Sequence, residues 1–401
     1  MKLKTILLTG LAAFGVSQLA SAQTVINITG ATAFRAGAHN AIIDILGGAG
    51  TTQYGFAGSS ISSANHAIFS GTIGGQAYII RTSQSGSTAG IAAVVNQTSL
   101  TYLKTSLVGT ADLSTSGVQI ATSIGNATTA GKTESAIARF SFSDVDQAIS
   151  NTPTPALPGE AVGVVPFVFL SNVGAPAGLT NMTDQLHDAQ WSLGELPLSM
   201  YTGNPADTAR VLNMGRSNGS GTRATILSET RYGPFTSVVQ WGGPNNNSNV
   251  SGAEQTGTVD TLSNLGNGGY SSNSFVRQNL ARTSHAVSLD GGAPEDVVLV
   301  SYVTLSDAAA ISDVTGGSGA AVDLTYNGMA YSEDNVKNGK YTLWGYQQFY
   351  GSTDIDAGEQ TFFDAFVAAI PPTLDPLVTG LPISDMNVTR FGGDGGIILP
   401  N

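Results

Sequence analysis

The 401-residue sequence contains no cysteine, only four histidines, 7% aromatic residues and 11% charged residues. Without cysteine there are no disulfides and no lipid-modified Cys at an export cleavage site, so neither can staple or anchor the chain. His39, His66 and His187 stand apart, with no His or Cys at metal-ligand spacing beyond the His187-Asp188 neighbours, so they read as solvated surface residues. No metal and no cofactor is expected. Gly-x-x-x-x-Gly-Lys-Ser/Thr does not occur, which removes support for nucleotide binding through a P-loop. Basic residues are scarce as well, 16 against 28 acidic ones for a formal net charge of −12. Nucleic acid and anionic membrane are therefore poor partners.

What the chain does have is 50 glycines, 41% hydrophobic residues and many Asn, Ser and Thr. That composition fits polar loops over a globular α/β frame, and the length allows two domains. Lys2 and Lys4 precede the apolar run Ile6 to Val16, and Ala20-Ser21-Ala22 offers the small residues that signal peptidase reads. Residues 1–22 are expected to be a signal peptide cleaved after Ala22, leaving a soluble periplasmic or secreted protein. The apolar run falls short of the ~20 residues a membrane span needs. Loss of Lys2 and Lys4 takes the formal charge from −12 to −14.

The rest alternates strand and helix. Val25 to Thr29 predicts a strand, followed by the turn Gly30 to Ala33 and a helix from near Phe34 with Ala38, Ile42 and Leu46 at helical spacing. A second strand, Gln76 to Thr82, leads through Ser83-Gln-Ser-Gly86 into a helix at Ser87. Residues 97–134 are Ser/Thr/Gly-rich and read as a surface excursion. A short strand then ends at Asp144, where Val145 to Ile149 looks like a first helical turn that the carboxylate would cap. Val162 to Leu170, after a Pro-rich linker, predicts a crossing into a second domain, and Lys340 to Tyr350 a crossing back. Alternating strands and helices imply parallel sheets covered on both faces.

The stretch Arg210 to Arg223 carries the strongest chemistry. An apolar strand runs into Gly215-Arg-Ser-Asn-Gly-Ser-Gly221, with Ser220 placed to cap a helix from Thr222. Free N–H groups of that helix, two hydroxyls and the fork of Arg216 suit a tetrahedral oxyanion. The bland alternative is a well-capped strand-turn-helix connection. A third reading takes Gly215-Arg-Ser217-Asn-Gly219 as a Gly-x-Ser-x-Gly nucleophile elbow with His285 as base, in a serine hydrolase. The arginine before the serine and the absence of a preceding Gly-rich oxyanion motif weigh against it.

Ile28-Thr-Gly-Ala-Thr-Ala-Phe34, Gly86-Ser-Thr-Ala-Gly90, Phe142-Ser-Asp144, Arg216-Ser-Asn-Gly-Ser-Gly-Thr222, Val300 to Asp307 and Asn338 to Leu343 occur in this order. In that run the chain resembles the type 2 periplasmic binding proteins, most closely the phosphate-binding proteins of ABC-type phosphate importers. The resemblance implies two lobes, each a mostly parallel sheet flanked by helices, joined by a two-segment hinge: residues 23–165 with 346–401, and residues 166–345. It implies a non-enzymatic monomer that holds inorganic phosphate or a similar oxyanion and serves an ABC permease in the inner membrane. Carried over, the phosphate ligands fall on Ser87, Asp144, Arg216, Ser220, Gly221 and Thr222. The first socket departs from the family's Thr-Phe-Pro, leaving Thr32, Ala33 and the backbone N–H of Phe34 to serve. Asn218 stands where the family often has an acid beside the arginine. The Gly/Asn/Ser-rich insertions also fit a secreted surface or matrix protein that reuses the fold.

Overall fold

A computed structural model describes residues 23–48, 51–56, 61, 64–108, 119–121, 131–242, 262–282, 285–289, 292–309, 311, 321–375 and 380–401. The expected signal peptide lies outside them.

The apolar run Thr24–Gly30 forms β1, and the glycine at its end has φ 114°, a conformation that leads the chain out of the sheet. Helix α1 follows over Arg35–Ile45. Strand β2 is Gln76–Gln84 and helix α2 is Ser87–Val95. Strand β3 is Phe140–Ser143, and the long β4 is Gly159–Ser171. Helix α3 covers Asp184–Leu193, β5 Arg210–Asn213 and α4 Gly221–Glu229. Helix α5 is Asn273–Leu280 and β6 is Glu295–Thr304. Strand β7, Trp344–Gly351, leads to α6, Ala357–Ala369, and a terminal hairpin of β8, Val388–Phe391, and β9, Ile397–Pro400.

Among the described residues one mixed sheet of fourteen strands runs through both halves of the chain. Its parallel centres are β2–β1–β3 on one side and β5–β6 on the other. Between them stand β4 and β7, paired antiparallel from Trp344 opposite Pro166 to Tyr350 opposite Gly159. Strand β7 also pairs with β3, and β4 with β6, so these two strands join the halves of the sheet. The α/β class is thus as the alternation predicts.

Each half is filled by aromatics. Phe140 and Phe142 on β3 meet Phe349 on β7 and Phe362 and Phe366 on α6, with centroids 4.8–5.4 Å apart in four of the pairs. On the other side Phe169, Trp191 and Tyr302 pack together.

Three expectations need correction. Residues 97–134 are no simple excursion: Ser99–Leu103 pairs antiparallel with Thr133–Ile137, and Gln119–Ala121 joins the edge of the main sheet. Asp144 caps nothing; Asp146 accepts from the N–H of Ala148 and caps the short turn Gln147–Ile149. The histidines are not solvated, since His39, His187 and His285 are fully buried and His66 half-buried. His39 lies between Ile61 O at 2.7 Å and Thr82 Oγ1 at 2.9 Å, and His187 stacks on Trp191 one helical turn away. Isolation in sequence says nothing of such partners, and burial holds all four below their ordinary pKa.

Candidate functional site

Three chain turns, those after β1, β2 and β5, meet at the end of β3. After β2 the chain turns at Gly86, φ 94°, so that Ser87 opens α2, while Gly86 N–H bonds Gly30 O at 2.8 Å and Ala31 N–H bonds Phe142 O at 3.0 Å. These bonds lock the first two turns to the end of β3. Asp144 follows directly, 2% exposed. From the other half, Ser220 caps α4 by accepting from the N–H of Arg223, as its type and position predict.

Asp144 is the centre of the cluster. Its Oδ1 accepts from Ser87 Oγ, its Oδ2 accepts from Thr222 Oγ1 at 3.2 Å, and its carbonyl accepts from Thr225 Oγ1 at 2.7 Å. One carboxylate is thus gripped by first-turn hydroxyls of two helices, α2 and α4, from opposite halves of the sheet. Gly221 allows the approach: a Cβ there would overlap Asp144 Oδ1 and Ser87 Oγ. Burial raises the Asp144 pKa, opposed by the Ser87 hydrogen bond and then by the charge of Arg216.

Arg216 does not face this carboxylate as a fork. It is 3% exposed and spends its donors within its own half: Nε on Tyr270 O at 3.2 Å, Nη1 on Asn273 Oδ1 at 2.6 Å and Nη2 on Ser271 O at 2.9 Å. Its backbone N–H donates to Tyr302 Oη at 3.3 Å. The support missing at Asn218 therefore comes from Asn273 and two carbonyls near the start of α5. Those residues lie more than fifty positions along the chain, beyond reach of local motif reading, and Thr225, one turn into α4, stands 81 positions from the Asp144 carbonyl it bonds. The expected first socket is least convincing. Phe34 is buried with its ring 5.7 Å from Phe142, Thr32 and Ala33 are half-buried, and no hydrogen bond joins the three to Ser87, Asp144 or Thr222 among the described residues.

No protein-family model and no curated protein matches the chain. Among solved structures it is similar to an ABC-type phosphate transport receptor from Vibrio cholerae, with 11% identity, TM-score 0.43, and 86% of this chain and 94% of that one covered. A high-affinity periplasmic phosphate-binding protein, PfluDING, shows 14% identity and TM-score 0.41 over 90% and 92% of the two chains. An OxyR C206 mutant from Corynebacterium glutamicum shows 8% identity and TM-score 0.37 over 90% and 68%. Likeness this loose carries no argument about ligand or activity, so the chemistry rests on the cluster itself.

The elbow reading finds little. Ser217 donates its backbone N–H to Tyr270 O at 2.9 Å, and no hydrogen bond links it to a histidine among the described residues. His285 is buried beside β6, where Val297 N–H bonds its carbonyl, and its ring lies by the backbone of Asn279 and Arg282 rather than by Ser217. Among the described residues no group of three His, Asp or Glu is placed to hold a metal, and no helix is long and apolar enough to cross a membrane.

Proposed function

We propose that the chain is an exported solute-binding protein that captures an inorganic oxyanion, phosphate first, for ABC-type uptake, and catalyses nothing. Residues 23–165 with 346–401 form one lobe and 166–345 the other, with β4 and β7 as the two hinge segments. The observation that carries this reading is the convergence of Ser87 and Thr222, from helix N-termini on opposite halves, upon one buried carboxylate. Helix N-termini and hydroxyls are anion donors. An ionised carboxylate among them only accepts, so the anion it tolerates is one that brings its own proton, as phosphate does at neutral pH. Phosphate enters by taking the Ser87 and Thr222 donors from Asp144 and offering that carboxylate an O–H in return. Arg216 contributes charge rather than a bidentate fork. The mature protein acts as a soluble monomer in the periplasm beside an inner-membrane permease.

The same geometry favours a second reading, since both Asp144 oxygens are already satisfied and Gly221 closes against them. In that reading the carboxylate is a latch and the protein a secreted surface or matrix component that reuses the fold. Calorimetric titration with phosphate separates the two. Saturable binding that Ser87→Ala and Thr222→Val both weaken supports the binding protein, and absence of phosphate binding supports the latch.

A further inference from the structure

Beside the Asp144 cluster, where Arg223 follows Thr222, lies a cavity of about 210 Å³. Arg223, Asn267, Asn151, Asn218, Pro234 and Phe235 line it. Asn151 comes from the segment after Asp144 and the others from the opposite half, while Asn218 O accepts from Thr88 Oγ1 of α2 at 3.4 Å.

Arg223 is the unusual wall. It is 4% exposed, and all its bonds go to neutral acceptors: Nη1 to Arg216 O at 3.1 Å and Asn267 O at 2.9 Å, and Nη2 to Asn267 Oδ1. Its Nε makes no hydrogen bond and no carboxylate pairs with it among the described residues. Arg81 and Arg139 each hold a glutamate, and Arg216, which also bonds only neutral acceptors, has the charge of Asp144 acting on it. A buried cation without a counter-charge is costly, and in a chain with 28 acidic residues a partner was not scarce. The remaining walls set what an anion there would have to bring besides its charge. Phe235, 63% exposed, and Pro234 present apolar surface that a bare inorganic oxyanion would leave uncovered. The amides of Asn151 and Asn218 make no side-chain hydrogen bond among the described residues and offer donors and acceptors to substituents. The volume lies below the ~300 Å³ of sites for drug-sized ligands, which limits the occupant to about one ring.

We propose that this cavity binds a small organic carboxylate, its carboxylate on Arg223 and its apolar body against Phe235 and Pro234. The planar guanidinium suits a carboxylate edge. This site is separate from the Asp144 cluster and does not depend on phosphate binding there.

The probe is 4-fluorobenzoate, followed by ¹⁹F NMR line width, with the neutral 4-fluorobenzamide as its uncharged counterpart. Saturable binding of the benzoate is expected, about tenfold tighter than the benzamide, because a charge-assisted bond is lost in the latter. Arg223→Gln should weaken the benzoate about tenfold or more. That change also removes three internal bonds, so Phe235→Ala, at a largely exposed ring, provides the second variant and should weaken binding severalfold. No saturable binding, equal binding of benzoate and benzamide, or an unchanged Phe235→Ala overturns the proposal. So does displacement by inorganic phosphate combined with loss in Asp144→Asn, which would put the benzoate at the other cluster. Failure of phosphate itself to bind bears only on the oxyanion reading.

Discussion

At Arg216 the residue type was legible and its direction was not. The motif predicts a cation beside the socket, and the charge does act on Asp144, but Tyr270, Ser271 and Asn273 claim the fork. Arg216→Lys is therefore first a stability change. One ammonium cannot serve acceptors arranged for a planar guanidinium, and each buried acceptor left unpaired costs about 1–3 kcal/mol. We expect a loss of about 2–6 kcal/mol in urea unfolding, by the same principle applied to two acceptors; a loss below about 0.5 kcal/mol, the level of ordinary surface substitutions, would mean the network is not held in solution. Asp144 belongs to the opposite class: Ser87 and Thr222, local features of two helix starts, both reach its carboxylate in the structure. Its carboxylate should reject sulfate by on the order of 10⁴-fold relative to phosphate, since a required ligand O–H is missing. Asp144→Asn should narrow that gap, and competition between the two anions in calorimetry checks it; an unchanged ratio would leave Asp144 without a role in selection.

Among elements, helices and strands were readable wherever apolar spacing was regular, as in α1 with Ala38 and Ile42 or in β2. The terminal hairpin was not, because its reason for being there is a buried charge cluster assembled from distant segments. Arg390 Nη2 contacts Glu229 Oε2 at 2.6 Å, with Trp344 under the guanidinium, while Asp394 accepts from Asp146 N–H at 2.7 Å. Two buried carboxyls here face one arginine, with Asp146 and Asp144 adding negative charge nearby. Burial pushes Glu229 up to about 8, although Arg390 pulls the other way, and Asp394 up to about 7. Both values are above the unfolded ones, 4.5 and 3.8, so the stability they contribute is complete below about pH 4 and is lost as pH rises through 7 to 8. The buried histidines have the reverse sign: their depressed values, about 3 for His39 and about 4 for His66 and His285, make stability fall as pH drops below 6.5. Between pH 6.5 and 8.5 only the carboxyl effect remains among these groups. The Tm should fall across that window, and Asp394→Asn should flatten the slope; a wild-type Tm that stays level there contradicts the neutral carboxyls.

Across the whole molecule, the two sides of the sheet meet at Gly221. Alanine fits helical backbone better than glycine, so Gly221→Ala should leave α4 intact. Its methyl would nevertheless collide with Asp144 and Ser87 on the facing half, an overpacking of about 1–3 kcal/mol. The halves should part, with a larger radius of gyration in small-angle scattering and phosphate affinity reduced about tenfold or more, as that cost implies. If the radius is unchanged, the halves do not close at this point in solution. In wild type, phosphate should favour the compact form because its oxygens are reached from both sides only when the helix starts approach one another. The alternation of strands and helices announced the α/β class in advance. It did not announce the closeness of the meeting point, because a glycine's role as a contact depends on what lies opposite it.

The order in which a chain is made adds a last consequence of β7 and α6 closing over β3. Gln147 N–H bonds Tyr350 Oη across 203 positions, and Arg139 reaches Glu359 across 220. Phe140 and Phe142 are therefore synthesised long before Phe349, Phe362 and Phe366, the rings that cover them. The earliest segment cannot finish folding when it emerges. It must wait with an apolar strand face uncovered while the intervening half is built, exposed to aggregation for that interval. Under the export proposed above, that delay would serve a purpose: it would keep the polypeptide threadable until its last quarter has arrived.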